Sequence, residues 1–316
     1  MLINLLMLVA GLAALVKGAD LLVDGAVKIS RRSGLSELFI GLTIVAFGTS
    51  VPELAVSISA AVKDSGIAIG NAIGSNIANV ALVLGMGALI LPVKVKGSSL
   101  AYEIPFVILS SIVASALLLG RDSGLLRSDG IVLLCFFVIY IAYVGRMALS
   151  DRFQYSEQRI QEQAAGDRGI IGPILLTSVG IVGVIIGSEL VVRSGTDIAL
   201  FLGISETLVG LTVVAIGTSL PELVTTITAA VKKSGALALG NILGSNVINL
   251  LLVLGLASAI SPIQADRGIA VELVFMIGLI VLLIPLSIRN RSLGRLSGVL
   301  LLGIYITFVV FGIAAG

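Results

Sequence analysis

Two glutamates occupy equivalent positions in two long apolar stretches of the chain. Glu53 ends the motif GTSVPE, and Glu222 ends the motif GTSLPE. An ionised carboxylate near the centre of a bilayer costs at least about 2.5 kcal/mol, so a glutamate at that depth indicates a functional site. Carboxylate and hydroxyl oxygens are the ligands that a hard cation such as Ca²⁺ prefers. The hydroxyl groups of the two motifs come from Thr49, Ser50, Thr218 and Ser219.

Each glutamate motif is followed by a second polar motif, GNAIGSNIAN or GNILGSNVIN. Residues four apart share one face of a helix. The residues related by this spacing are Asn71, Ser75 and Asn79 in the first motif, and Asn241, Ser245 and Asn249 in the second. Such a face could bind a cation, or it could pack helices through small residues and amide hydrogen bonds. Its duplication beside a second duplicated polar motif favours cation binding.

The same two motifs contain further asparagines and several glycines. Asn76 and Asn246 lie one position further round their helices. The pattern leaves open whether they belong to the shell of the site or to helix packing. The glycines, which allow close helix approach or local unwinding, are Gly70, Gly74, Gly240 and Gly244.

The proline before each glutamate predicts an interrupted helix. Proline lacks an N–H and clashes with the carbonyl four residues back. Broken backbone survives in lipid only where it is buried in protein or lines a polar cavity, and freed carbonyls there can coordinate cations. The spacing Ser-x-x-Glu is also that of a capping box. Ser50 with Glu53, and Ser219 with Glu222, could therefore cap the half-helix that follows, alone or in addition to binding a cation.

The composition predicts a polytopic membrane protein. Of 316 residues 57% are hydrophobic and 12% are charged, and the mean hydropathy is +1.16. Soluble proteins carry about 25% charged residues. The chain has no histidine and one cysteine, which excludes histidine metal sites and a disulfide framework. A net charge of +2 provides no basic domain for nucleic acid.

The apolar segments predict an all-α protein with ten transmembrane helices, since a spanning helix needs about 20 apolar residues. The candidate spans are 3–24, 35–62, 67–91, 101–120, 129–147, 170–192, 204–231, 236–260, 269–288 and 296–315. A polar stretch at 148–168 reads as a linker between two halves of five spans, 1–147 and 169–316. The first residues lack the positive region of a cleaved signal peptide, so we expect them to form the first span.

Lysine and arginine in the loops predict the orientation, because they accumulate on the cytoplasmic side. With the N-terminus outside, 14 of the 20 basic residues fall in inner loops and 5 in outer loops. Both termini are therefore expected to be extracellular and the linker 148–168 cytoplasmic. The acids Asp20, Asp24, Glu103, Glu189, Asp197 and Glu272 fall near span ends, where solvation and snorkelling suffice.

The two halves are an internal repeat. Residues 36–66 align with 205–235, with 20 of 31 positions identical, and 70–85 align with 240–255. Each unit contains five predicted spans, an odd number, so the second unit must cross the membrane in the opposite direction from the first. Inverted repeats of this kind are common in secondary transporters, where the ion site lies near the midplane between the halves.

The paired motifs G-T-S-x-P-E-L and G-N-x-x-G-S-N-x-x-N resemble the two alpha-repeats of the cation/calcium antiporter superfamily, and most nearly its prokaryotic sodium/calcium exchangers. These alpha motifs correspond to about 36–92 and 205–262. The resemblance implies exchange of Ca²⁺ for Na⁺ across the plasma (inner) membrane of a prokaryote. It also implies alternating access, in which the first and sixth spans slide across a fixed core.

The resemblance also implies a set of cation ligands. They are Glu53, Glu222, Thr49, Ser50, Thr218, Ser219, Ser75, Ser245, Asn79 and Asn249, with the backbone carbonyls of Ala46 and Ala215. Some relatives carry aspartate at the position of Asn249. Asparagine keeps an oxygen ligand but removes a titratable charge, which argues against potassium dependence of the kind found in one branch of the superfamily.

Three other functions remain as alternatives. A Ca²⁺/H⁺ antiporter could use the same scaffold, with H⁺ in place of Na⁺, and a cation channel is a further alternative. An intramembrane hydrolase is disfavoured because Ser50 and Ser219 have no histidine partner in the chain. We therefore expect no enzymatic activity and no cofactor. The expected partners are Ca²⁺, Na⁺ and the lipid bilayer, without nucleic acid or an obligate protein partner.

Overall fold

A computed structural model describes residues 2–63, 65–120, 124–154, 169–203, 215–265, 268–288 and 291–315. Most of the predicted linker (155–168) and the first part of the predicted seventh span (204–214) lie outside the described residues. The part of the chain that the structure describes is nearly all helical, as predicted, with four strands of two residues each.

The α-helices follow the apolar segments of the sequence. In chain order they are α1 (Leu2–Ser33), α2 (Glu37–Ile40), α3 (Ala46–Thr49), α4 (Val51–Lys63), α5 (Ser65–Ala78), α6 (Leu84–Ile90), α7 (Ile104–Gly120), α8 (Arg127–Gln154), α9 (Ile171–Phe201), α10 (Ala215–Thr218), α11 (Leu220–Val231), α12 (Gly235–Val247), α13 (Leu254–Ile260), α14 (Ile269–Ile288) and α15 (Arg295–Ala315). Within the described ranges, four π-helical segments lie between them, at Gly41–Val45, Asn79–Val83, Ser99–Glu103 and Ile248–Val253.

Within the described residues, seven helices are long and apolar enough to cross a membrane, or up to eight if a bent pair counts as one span. The bent pair is Glu37–Thr49 with Val51–Val62. Two shorter apolar helices, Leu220–Val231 and Arg295–Phe311, accompany them. The protein is therefore a multi-pass membrane protein. Several predicted ends were too early, since α1 continues to Ser33 and α8 continues through Gln154 into the predicted linker.

Two helical segments form the centre of the molecule. Of an apolar 18-residue stretch, 83% is buried in Gly235–Ile260 and 72% in Gly66–Ile90. In α1 and α9 the corresponding shares are only 22% and 28%. The main apolar core contains Ile73, Ile77, Ile242 and Leu243 from the two central segments. These segments carry the two asparagine-rich motifs, so the fold places both motifs at its centre.

Helices α1 and α9 pack against each other along glycines spaced seven residues apart. A Cβ on Gly18 would lie 2.5 Å from the backbone nitrogen of Val184, and one on Gly187 would lie 2.4 Å from that of Leu15. Later residues of α1 face earlier residues of α9, since Gly25 meets Thr177. The two helices therefore run antiparallel at a separation that only glycine permits.

Short strands of the first half pair with short strands of the second half. The strands are β1 (Val93–Lys94), β2 (Gly124–Leu125), β3 (Ile263–Gln264) and β4 (Ser292–Leu293). β1 pairs antiparallel with β4, and β2 pairs antiparallel with β3. Each pair joins a strand of the first half to one of the second, so the halves interlock at both strand pairs.

Candidate functional site

The helix that carries Glu53 bends at its proline motif but keeps backbone hydrogen bonds across the bend. The two helical parts meet at an angle of 47° around Ser50. The N–H of Ser50 still donates to the Ala46 carbonyl at 3.0 Å, and the N–H of Leu54 donates to the Ser50 carbonyl at 3.1 Å. The Ala46 carbonyl therefore keeps its helical hydrogen bond and also accepts from the Thr49 hydroxyl at 3.3 Å, and its role as a cation ligand stays a prediction. Glu53 lies in the first turn after the bend.

The capping-box alternative was wrong at Ser219, whose side chain makes no capping hydrogen bond to the helix that follows. Its hydroxyl oxygen is buried and has no hydrogen-bond partner. The Ser50 hydroxyl instead donates across the molecule to Oε1 of Glu222, at 3.4 Å. Ser50 thus contacts the other half of the molecule, and Ser219 is buried.

Glu222 is fully buried and has weak hydroxyl contacts from both halves. Oε1 of Glu222 lies 3.4 Å from the Ser50 hydroxyl and 3.5 Å from the Ser245 hydroxyl. Hydroxyl hydrogen bonds are usually 2.5–3.0 Å long, so these contacts are loose. Oε2 has no hydrogen-bond partner. Hydroxyls held this loosely can turn toward a cation at little cost.

Glu53 is also fully buried, and neither of its carboxylate oxygens has a hydrogen-bond partner. Ser50, three residues before Glu53, contacts the Glu222 carboxylate at 3.4 Å, so the bend that precedes Glu53 lies beside Glu222. Burial of an uncompensated charge is strongly unfavourable. The arrangement is therefore incomplete without a cation or protons to offset the two charges.

Four asparagines join the two central helices by reciprocal contacts. Nδ2 of Asn79 donates to Oδ1 of Asn246, and Nδ2 of Asn249 donates to Oδ1 of Asn76, each at 3.2 Å. Asn79 and Asn249 keep one side-chain oxygen each, and both oxygens are buried without a hydrogen-bond partner. The structure therefore shows helix packing through these amides, and cation binding by the two remaining oxygens stays a prediction.

The outer ends of the two asparagine-rich faces contact hydroxyls near the glutamates. Asn71 donates to the Ser57 hydroxyl at 3.0 Å and to the Glu53 carbonyl at 3.3 Å. In the second half, Asn241 donates to the Thr226 hydroxyl at 3.4 Å. Ser57 and Thr226 were missed by sequence reasoning. They could have been found, because each stands four residues after its glutamate in the repeat alignment.

Thr49 links the first glutamate motif to the second central helix. Its hydroxyl donates to Oδ1 of Asn241 at 3.1 Å and lies 3.5 Å from the Ser245 hydroxyl. Thr49 is therefore placed beside the residues that contact Glu222. Thr225, whose hydroxyl is buried without a hydrogen-bond partner, stands one turn after Glu222 and was not singled out by its sequence position.

The remaining predicted ligands lie on the same elements. Ser75 is buried on α5, four residues before Asn79, and Thr218 precedes Ser219 at the end of α10. Ala215 is the first residue of α10. The structure thus directly connects Thr49, Ser50, Ser245 and Glu222, and connects Asn79 with Asn249 through the asparagine contacts. For all of the predicted ligands, ligation of a cation stays a prediction.

The central glycines behave differently in the two halves. A Cβ on Gly240 would lie 2.5 Å from the Leu38 carbonyl, and one on Gly244 would lie 2.6 Å from the Leu42 carbonyl. Close approach is therefore confirmed there. Gly70 and Gly74 meet no described atom within 4 Å. The segment of the second half that corresponds to Leu38 and Leu42 falls in 204–214, outside the described residues.

Four of the acids that were predicted to lie near span ends make contacts of three kinds. Lys232 binds Asp20 and Asp24 of α1, at 2.5 Å in each case, and Glu189 pairs with Arg193 on α9. Glu103 departs from the expected solvated position. It is only 3% exposed, and the Tyr143 hydroxyl donates to it at 3.3 Å. Its π-helical segment and the aromatic side chains of α8 enclose it, a contact that hydropathy does not reveal.

Within the described residues, no group of three or more His, Cys, Asp or Glu could hold a metal ion. A cation bound between Glu53 and Glu222 would therefore draw its remaining ligands from hydroxyl, amide and carbonyl oxygens. That donor set suits Ca²⁺, which accepts 6–8 oxygen ligands in irregular geometry. Na⁺ is likewise a hard cation.

Comparison with known proteins places this chain in a family. The family model described as sodium/calcium exchanger protein matches residues 3–146 and 172–314. The chain therefore belongs to the sodium/calcium exchanger family.

Individual relatives agree along nearly the whole chain. It is 37% identical to the inner membrane protein YrbG of Escherichia coli K12, covering 98% of this chain and 96% of that protein. It is 34% identical to the sodium/calcium exchanger MaX1 of Methanosarcina acetivorans, covering 98% of both. A solved structure of the sodium-calcium exchanger NCX_Mj, soaked with Na⁺ and Ca²⁺, superposes with a TM-score of 0.85 at 33% identity, over 98% of both chains.

Proposed function

We propose that this protein is a secondary antiporter that exchanges Ca²⁺ for Na⁺ across the plasma membrane. One observation carries the proposal. Buried oxygens of Glu53, Glu222, Asn79 and Asn249, contributed by both halves, lack hydrogen-bond partners. Buried polar atoms are normally paired, so a cluster of unpaired oxygens is best explained by a cation that they bind. The names of the relatives support Ca²⁺ and Na⁺ as the transported ions.

The charges favour a calcium ion in this site. Ionised Glu53 and Glu222 carry two negative charges, and one Ca²⁺ makes the site neutral, which suits an interior of low dielectric constant. Mg²⁺ demands near-ideal octahedral geometry and releases its water reluctantly, so it fits poorly. Na⁺ ions can offset the same charges, and the empty charged site is poorly suited to crossing the membrane. Only loaded forms would then switch readily between the two sides, which is the requirement for exchange.

The proposed ligands are assigned by their contacts. Glu53 and Glu222 supply the charge, and Asn79 and Asn249 supply side-chain oxygens from the central helices. The hydroxyls and carbonyls that complete the coordination are those of Thr49, Ser50, Ser75, Thr218, Ser219, Ser245, Ala46 and Ala215. Because residue 249 is an asparagine, the proposed site contains two carboxylates, and their combined charge equals that of one Ca²⁺ with the opposite sign.

The proposed architecture is ten spans in two inverted repeats, 1–147 and 169–316, joined by the linker 148–168. The antiparallel packing of α1 and α9 supports it, because these are the first predicted spans of the two halves. The reciprocal strand pairs and the reciprocal asparagine contacts support it as well. In the proposed topology both termini are extracellular and the linker is cytoplasmic.

Alternating access is proposed to come from α1 and α9 moving against the central helices. The most apolar stretches of these two helices are only 22% and 28% buried, and the helices pack tightly on each other. They can therefore move as one unit, while the buried central helices hold the site in place.

The coupling ion is tested by ⁴⁵Ca²⁺ flux in proteoliposomes that contain the full chain. A Na⁺ gradient, a K⁺ gradient and a pH gradient are imposed separately, with the membrane potential clamped. The proposal predicts Ca²⁺ uptake driven by the Na⁺ gradient alone. Uptake that follows the pH gradient at equal Na⁺ on both sides would make the protein a Ca²⁺/H⁺ antiporter. Flux without any counter-ion movement, at conductances far above carrier rates, would make it a channel.

A further inference from the structure

The asparagine contacts of the site have a fixed polarity. A side-chain amide has one oxygen that accepts and one NH₂ group that donates. Asn79 and Asn249 can serve a cation only if the oxygen faces it and the NH₂ group faces away. Nothing in either residue alone determines which end points where, so the surroundings must set the orientation.

A backbone carbonyl fixes this polarity on one side of the site. Nδ2 of Asn76 donates to the main-chain oxygen of Asn246 at 3.1 Å. A main-chain oxygen can only accept, so Asn76 must present its NH₂ group there and its side-chain oxygen on the opposite side. That oxygen accepts from Nδ2 of Asn249 at 3.2 Å. Oδ1 of Asn249 is consequently left over, buried and without a hydrogen-bond partner.

The contact between Asn79 and Asn246 has the same form as that between Asn249 and Asn76, with one difference. Nδ2 of Asn79 donates to Oδ1 of Asn246 at 3.2 Å, which leaves Oδ1 of Asn79 without a hydrogen-bond partner. Nδ2 of Asn246, however, has no acceptor. The Asn246 amide therefore lacks the backbone contact that holds Asn76, so the orientation of Asn79 is less firmly fixed than that of Asn249.

We propose that Asn76 and Asn246 are positioning residues, each of which turns the side-chain oxygen of the opposite repeat's ligand asparagine toward the transported Ca²⁺. The inference rests on the proposed function, and it adds a role for two residues outside the proposed ligand set. Asn76, Asn79, Asn246 and Asn249 are fully buried, so water cannot replace a lost contact. Helix packing alone would not require the same amide polarity in both halves.

Equilibrium ⁴⁵Ca²⁺ binding to the purified full chain in detergent tests the proposal by a double-mutant cycle. The variants are Asn76→Leu, Asn249→Ala and their combination. Leucine has a similar size but cannot accept from Asn249. Loss of a residue that orients a metal ligand typically weakens binding about 10–100-fold, so Asn76→Leu should raise the dissociation constant by that factor. In the Asn249→Ala background the same substitution should have little further effect, because the amide that it orients is gone.

Ser258→Ala is the matched control. Ser258 lies on the central segment Gly235–Ile260, and among the described residues its buried hydroxyl bonds only to the Leu254 and Gly255 carbonyls of its own helix. Its loss removes a buried hydrogen bond without touching the asparagines, so Ca²⁺ binding should stay unchanged. Asn246→Leu is expected to weaken binding less than Asn76→Leu, since Asn246 lacks the backbone anchor. If Asn76→Leu does not fold, Asn76→Ser replaces it in the same double-mutant cycle.

The outcomes separate this inference from the proposed function. Weaker binding in the Asn76 variant that disappears in the Asn249→Ala background supports the inference. An equal effect in both backgrounds, or no effect, overturns the inference while the proposed site survives. If the unmodified chain binds no Ca²⁺, the proposed function fails and this inference fails with it.

Discussion

The Ser50 hydroxyl of the first repeat lies 3.4 Å from Oε1 of Glu222 in the second repeat. This contact joins the bend of one half to the carboxylate of the other. Neither repeat can therefore form the site alone, and substitution of a hydroxyl in one half should affect the carboxylate in the other.

Ser50→Ala should raise the KM for Ca²⁺ by up to about tenfold, with a smaller change in the maximal rate. A hydrogen bond to a charged group contributes about 1.5–3 kcal/mol, and this long contact falls at or below the lower end. Concentration-dependent ⁴⁵Ca²⁺ uptake measures the effect. Ser110→Ala is the control, since the buried Ser110 hydroxyl bonds only to the Phe106 carbonyl of its own helix. Equal kinetics for both variants would contradict a role for Ser50 at the site.

Gly18→Ala should destabilise the protein and slow exchange. Its Cβ would lie 2.5 Å from the backbone nitrogen of Val184, so α1 and α9 would have to separate. Overpacking of this kind costs about 1–3 kcal/mol. Thermal unfolding in detergent, with uptake in proteoliposomes, measures both effects.

Gly278→Ala on α14 is the matched control for that substitution, because a Cβ there meets no described atom within 4 Å. It should leave stability and uptake nearly unchanged. If Gly18→Ala behaves like Gly278→Ala, the close packing of α1 on α9 has no functional importance.

Lys232→Gln should loosen α1 from the end of α11. Lys232 binds Asp20 and Asp24 of α1, whereas the corresponding residues of the second half, Glu189 and Arg193, pair with each other. The ion pairs of Lys232 therefore join α1 to the end of α11. Spin labels at the exposed positions Val16 and Val231, in a Cys135→Ser background, should show a broader distance distribution in the variant.

Lys233→Gln is the control for this measurement, since no ion pair of Lys233 with a described acid is present. An unchanged distribution in Lys232→Gln would show that the ion pairs do not restrain α1.

The pH dependence of these ion pairs follows from Lys232. Partial burial alone would lower the pKa of Lys232, but the hydrogen bonds and charges of Asp20 and Asp24 raise it above its ordinary value of 10.5. A raised pKa means that the lysine contribution is complete below the ordinary value and is lost as pH rises through the higher one. The distance distribution of the unmodified chain should therefore be the same at about pH 7 and about pH 9, both below 10.5. A change between them would contradict this assignment.

Asn249→Asp should reduce exchange at neutral pH and recover it as the pH falls. A third carboxylate would leave the Ca²⁺-loaded site with a charge of −1, and protonation of the added acid would restore neutrality. The pH profile of ⁴⁵Ca²⁺ uptake checks this, with Asn249→Ser as the uncharged control. Full activity of the aspartate variant across the pH range would show that site neutrality does not limit exchange.

The apolar segments and the repeat allowed much of this structure to be predicted. A hydrophobic run of sufficient length fixes a membrane helix, and the duplicated motifs identified Glu53 and Glu222 without any coordinates. Both features depend on local sequence, which is why they could be recognised. The ends of α1 and α8 could not be predicted in this way, because polar residues continue these helices beyond the apolar run.

The asymmetry of the site could not be predicted from nearly symmetric motifs. Glu222 receives contacts from Ser50 and Ser245, whereas Glu53 receives none at its carboxylate oxygens. Two copies of one motif pack differently in a single conformation, and the sequence does not state which conformation is present. The burial of Glu103 against Tyr143 was likewise missed, because it arises from packing between distant helices.

The central claim is that Glu53 and Glu222 together bind the transported ion. The most direct measurement is Na⁺-driven ⁴⁵Ca²⁺ uptake by the Glu53→Gln/Glu222→Gln double variant in proteoliposomes, with its unfolding temperature recorded beside that of the unmodified chain. The account predicts a folded protein with uptake at the level of empty liposomes. Na⁺-driven uptake that persists in the folded double variant would contradict it.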